Sequence, residues 1–148
     1  MKIDKSDFYY GAVIFNLLTD KQKREIELLD TTQSHQFVKH SKAGIISIIF
    51  MKYQSSSQVF SNIQSWNFTL TEKELNNLNH IRENHNYSDI NIVLICGETE
   101  LQKSHIGIIS GQDAELFITE RKAKISLLAN RLTCQINDID IQLATSFD

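Results

Sequence analysis

Lys52, Cys96 and a few carboxylates are the residues of this chain whose chemistry could serve catalysis. Cys96-Gly97 closes an apolar run, and a thiol there becomes a nucleophile if a base approaches it. His105, on the segment that follows, is the base that a returning strand would bring alongside. The competing and preferred reading is a small buried thiol in a central strand. Glu98 and Glu100, at the same strand end, read either as an acid–base or metal-binding pair or, preferably, as part of a solvated loop. The five histidines do not cluster. His35 and His40 are an odd number apart on a strand and point to opposite faces. His80 and His85 stand roughly 140° apart around a helix, and His105 is isolated. The chain has no CxxC, no HExxH and no spaced Cys/His set, so no metal site is expected. It has no phosphate-binding glycine loop and no G-x-S-x-G, so no cofactor is expected.

The elements that would position these residues centre on Ser65 to Gly97. Trp66, Phe68 and Leu70 alternate in the period of a half-buried strand, and both aromatics read as core. Thr71 and Glu74 form a T-x-x-E capping box, followed by Leu75, Leu78 and Ile81 at helical spacing. Ile90 to Cys96 is a nearly unbroken β-branched run, the pattern of a strand covered on both faces. Upstream, Asp4, Ser6 and Asp7 can cap a helix over about residues 7–19 that is apolar nearly all round. Short strands over Glu25–Leu28 and His35–His40 precede a longer one over Ile45–Tyr53. Gln54 to Gln64 is polar and serine-rich, and is expected to be a loop. Downstream come a strand at His105–Ile109, one or two helical turns within Gly111–Thr119, a hairpin over Lys124–Ile136 and an edge strand at Ile139–Leu143. The expected fold is α+β: residues 1–148 as one domain, with a mixed, mostly antiparallel sheet flanked by two main helices over about 7–19 and 71–85.

The order of these elements, a helix, three strands, a further strand, a helix and a strand, resembles the core of restriction-endonuclease-like folds. Those nucleases place an acid before, and an E-x-K triplet within, a strand of that core to bind Mg²⁺ and activate water. The matching strand here reads Phe50-Met51-Lys52, with the lysine and without the glutamate. Asp30 is the nearest acid on the preceding strand, and Glu27 is a migrated substitute. The resemblance therefore implies Lys52, Glu27 and Asp30 as the catalytic candidates, or an inactive relative that binds through the same surface.

Composition suits a soluble globular protein: 41% hydrophobic, 22% charged and a net charge of −3 over 148 residues. That balance gives no general attraction for nucleic acid or anionic lipid. A local basic patch would need two of three basic groups to converge: Lys39 with Lys42, Lys21 to Arg24, and Arg121 with Lys122 and Lys124. Two cysteines are too few for a disulfide framework. Met1 to Asp7 is charged with no small-residue cleavage site after it, and no membrane span is visible, so the cytoplasm is the expected location. Abundant Ile, Asn and Lys with no Pro is the usage of an AT-rich bacterial or phage genome. The leading expectation is a non-enzymatic binding or regulatory module, such as an accessory locus or mobile element encodes, acting through protein contacts or self-association. Phe8, Val13 and Phe15 on the apolar first helix are its expected interface. A divergent nuclease-like domain is the alternative, with nucleic acid as partner.

Overall fold

Four tight turns lay out much of the sheet structure. Ala43-Gly44, Ser61-Asn62, Ala129-Asn130 and Asn137-Asp138 each hold both residues at positive φ, between 51° and 82°. That is what a type I′ hairpin requires, and its twist matches the strands on either side. The computed structural model describes residues 5–19, 24–29, 36–55, 57–98 and 105–144. In chain order it begins with α1 (Lys5–Thr19), β1 (Arg24–Leu28), β2 (Phe37–Lys42), β3 (Ile45–Gln54), β4 (Gln58–Phe60) and β5 (Ile63–Thr69). It continues with α2 (Glu72–Asn84), β6 (Asp89–Cys96), β7 (His105–Ser110), α3 (Gly111–Glu120), β8 (Lys122–Leu128), β9 (Arg131–Ile136) and β10 (Ile139–Ile141). Asp4, Lys21, Lys23 and Asp30, with the Glu100 end of the charged connection, lie outside the described residues.

The α+β class holds, but the strands form two five-stranded sheets rather than one. The first runs β1-β2-β3-β6-β7, with β3 and β6 parallel at its centre and every other pair antiparallel. The second runs β10-β9-β8-β5-β4 and is antiparallel throughout. The parallel pair needs a crossover, and the β4–β5 hairpin and α2 supply it. Part of the expected loop, Gln54 to Gln64, is thus hairpin: Val59 and Phe60 alternate opposite Gln64 and Ile63, closed by Ser61-Asn62. Helices number three among the described residues, not two, because Ala114, Phe117 and Ile118 give α3 a full apolar stripe.

The main core lies between the sheets. Phe37, Ile48, Phe50, Ile92 and Leu94 of the first meet Trp66, Phe68, Ile125 and Ile136 of the second, with Leu78, Ile81 and Phe117 from α2 and α3. α1 covers the opposite face of the first sheet, where Tyr9, Tyr10 and Val13 pack on Val38, Ile49, Met51, Val93 and Ile95. Each central strand is therefore covered on both sides, which is why Ile90 to Cys96 reads as a continuous apolar run.

Candidate functional site

The capping box determines where Lys52 finds its carboxylate. Thr71 Oγ1 accepts from the Glu74 N–H at 3.1 Å, and Glu74 Oε1 accepts from the Thr71 N–H at 2.9 Å. The glutamate is thereby fixed at the first turn of α2, turned toward the end of β3. Lys52 Nζ donates to the same Oε1, and Gln36 Nε2 donates to Oε2 at 2.9 Å. Lys52 and Glu74 are nearly enclosed, at 15% and 11% side-chain exposure. Burial raises the Glu74 carboxyl pKa, but the hydrogen bonds from Lys52, Thr71 and Gln36 outweigh it and hold the group below its ordinary value. The carboxylate that pairs with Lys52 thus comes from Glu74, 22 residues further along the chain.

Glu27 is not beside Lys52. It is exposed on β1 and lies opposite Lys39, which lies opposite Ile48. Lys52 is four residues beyond Ile48, about 13 Å along the strand. Asp30, the other acid of the nuclease comparison, falls outside the described residues. Among the described residues, no group of three or more His, Cys, Asp or Glu side chains is placed to hold a metal ion.

Strand pairing does bring His105 opposite Cys96. Cys96 is fully buried, however, and the His105 ring packs beside Trp66 with centroids 6.2 Å apart. Burial, with the neighbouring Cys134 thiol, pushes the Cys96 pKa well above its ordinary value; burial also pushes Cys134 up to about 12. Both thiols are therefore protonated at neutral pH, the condition of an inert core cysteine.

The four described lysines of the basic groups do not share a face. Lys39 lies on the same side of β2 as Phe37, toward the second sheet, whereas Lys42 lies on the α1 side with Val38. Lys122 and Lys124 flank the inward Ala123 and face out from the second sheet, in a shallow cleft with Asn67, Gln135, Glu120 and Asp138. The two acids offset the two lysines there.

α1 divides the expected interface residues. Val13 is 2% exposed against the sheet, while Phe8 and Phe15 are 56% and 66% exposed. The two phenylalanines are seven residues apart, two turns along one side of the helix. Between them Gly11 is exposed, and a Cβ placed there would meet nothing within 4 Å. Val59 and Phe60 form a second exposed apolar group at 70% and 82% on the edge strand β4.

What sequence reasoning missed is Glu74 as the partner of Lys52. The T-x-x-E signal was readable, but its second use depends on how α2 docks. Among the described residues, no helix is long and apolar enough to cross a membrane. No protein-family model, curated protein or solved structure matches this chain.

Proposed function

We propose that this protein is a non-enzymatic binding module that acts through protein contacts, with the outer face of α1 pairing to a second copy of the chain. One observation carries the reading: α1 buries Tyr9, Tyr10 and Val13 yet leaves Phe8 and Phe15 open on its other side. A helix with one apolar stripe satisfies a core, so a second stripe calls for a second surface. Two copies crossing antiparallel at Gly11 would set Phe8 of each against Phe15 of the other, the self-complementary contact of a two-fold dimer. Full burial of a phenylalanine side chain is worth about 1.5–3 kcal/mol. Light scattering on size-separated protein tests the reading. A dimer, dissociated by F8S/F15S with its circular dichroism unchanged and indifferent to added DNA, is the expected result. A wild-type monomer at high micromolar concentration would refute it.

A second reading, a divergent nuclease-like or nucleic-acid-binding domain, is favoured by the Lys52–Glu74 pair at the end of β3. In its favour too is the parallel β3–β6 pair within the helix–strand order noted from the sequence. Against it, Glu74 already serves the helix cap and Gln36. Mg²⁺-dependent cleavage of duplex DNA, lost in Lys52→Ala, would establish this reading; no cleavage and no mobility shift would end it.

A further inference from the structure

The face of the first sheet that receives α1 changes character partway along its strands. Where the helix packs, Val38, Ile49, Met51 and Val93 are fully buried. Toward the start of β3 and β6 the same face turns polar, with His40 and Lys42 on β2, Ser47 on β3, Asp89 and Asn91 on β6, and Ser110 on β7. The period of two puts these residues on the helix side of the sheet. His40, Ser47 and Asp89 are direct neighbours across three strands, and Asn91 lies opposite Ser110. Together they line a cavity of about 450 Å³, whose apolar wall includes Ile45 and Ile108. A concave site of this size with a few convergent polar groups is the usual form of a small-molecule pocket.

Burial differs across this lining: Asp89 and Ser110 are exposed, Lys42 and Asn91 half-buried, and His40 and Ser47 buried. His40 and Ser47 are 4% and 6% exposed. Ser47 Oγ donates to Asp89 Oδ1, which orients the carboxylate. This row is no Ser-His-Asp triad, because the acid takes the serine proton donor directly instead of orienting the histidine. Lys42 marks the opposite corner, two strands across and two residues along from Asp89, about 12 Å between Cα atoms on ordinary sheet spacings. The cavity thus has a cation at Lys42 and an anion at Asp89, with the Ser47 hydroxyl and the His40 imidazole between them and Asn91 and Ser110 on the far side of Asp89.

That lining discriminates among ligand classes. A phosphate would be repelled by Asp89, and a simple cation by Lys42. A sugar or nucleobase would want an aromatic platform, and among the described residues the lining has no Phe, Tyr or Trp. A molecule with one positive and one negative end satisfies both corners. We propose that this cavity binds a zwitterion of free amino-acid or dipeptide size, its ammonium group on Asp89 and its carboxylate on Lys42. The flexible lysine stem lets the span suit either length. The cavity is separate from the outer stripe of α1, so ligand binding here and self-association there stand or fall independently.

NMR titration of ¹⁵N-labelled full-length protein tests the site, with the free L-amino acids, glycine-containing dipeptides, inorganic phosphate and glucose as probes. Saturable shifts centred on Ser47, Asp89, Asn91 and Ser110 are expected with an amino acid or a dipeptide, and the better probe identifies which. Amidating the carboxylate or acetylating the amine of that ligand should each weaken binding about tenfold or more. Lys42→Met should remove the penalty for amidation alone, and Asp89→Asn the penalty for acetylation alone. Asp89→Asn keeps an oxygen acceptor for Ser47 Oγ, and a wild-type-like spectrum confirms the fold of either variant. Shifts with phosphate or glucose only, no saturable shift at millimolar amino acid or dipeptide, or penalties unchanged in both variants would overturn the assignment.

Discussion

The indole N–H of Trp66 donates to the backbone carbonyl of Gly97 at 2.9 Å, joining β5 of the second sheet to the residue just beyond β6 of the first. Both partners are buried. Phenylalanine keeps the apolar ring contact but has no donor, so Trp66→Phe leaves a buried carbonyl without a hydrogen bond. The expected loss is about 1–3 kcal/mol, read as a lower midpoint in urea unfolding. An unchanged midpoint would show that the sheets are held by apolar packing alone.

Lys52 and Glu74 form a nearly enclosed pair, and removing one partner strands the other. Lys52→Met should destabilise by about 3 kcal/mol, more than Glu74→Gln, which keeps the capping-box acceptor. The folded Glu74 pKa lies below its ordinary value of 4.5. Its contribution is therefore complete above the unfolded value and is lost as pH falls through the folded one. Urea midpoints measured down the acid range should fall less steeply in Glu74→Gln than in wild type. Parallel acid limbs would show that other carboxylates carry the pH dependence.

Ala129 adopts φ of 51° in the β8–β9 turn, a region that alanine disfavours. Combining Ala129→Asn with Asn130→Gly supplies the residues that a type I′ turn prefers. Stability should rise by about 1 kcal/mol, roughly 3 °C in Tm by calorimetry. A lower Tm would mean that the turn does not hold this geometry in solution.

Cys96 and Cys134 are buried free thiols with raised pKa values. An aromatic disulfide reagent at pH 8 should label neither on the timescale of an exposed thiol, and both should react once the protein is unfolded. Rapid stoichiometric labelling of Cys96 in the native state would reopen its role as a nucleophile beside His105.

The residues themselves determined the local structure. Period-two alternation at Trp66 and Phe68 wrote β5, the Thr71–Glu74 box wrote the start of α2, and the β-branched run wrote β6 as a doubly covered strand. These signals act over a few residues, so they survive without knowledge of the rest of the fold. The β4–β5 hairpin escaped because Ser61-Asn62 is a weaker turn signal than Asn-Gly, although the backbone adopts the same conformation.

Tertiary structure alone decided the division into two sheets, the exposure of Phe8 and Phe15 beside a buried Val13, and the company of Lys52. Each depends on which face of an element meets which distant partner. Helix α1 is apolar nearly all round, so its sequence cannot choose the side that packs; the sheet chooses it, and the remainder becomes surface. Likewise His40, Ser47 and Asp89 are separated in the chain and carry no motif, yet one strand register places them in a single row. Cross-strand register is a non-local choice fixed by burial of the whole face, which is why the strands were legible from local pattern and the sites they assemble were not.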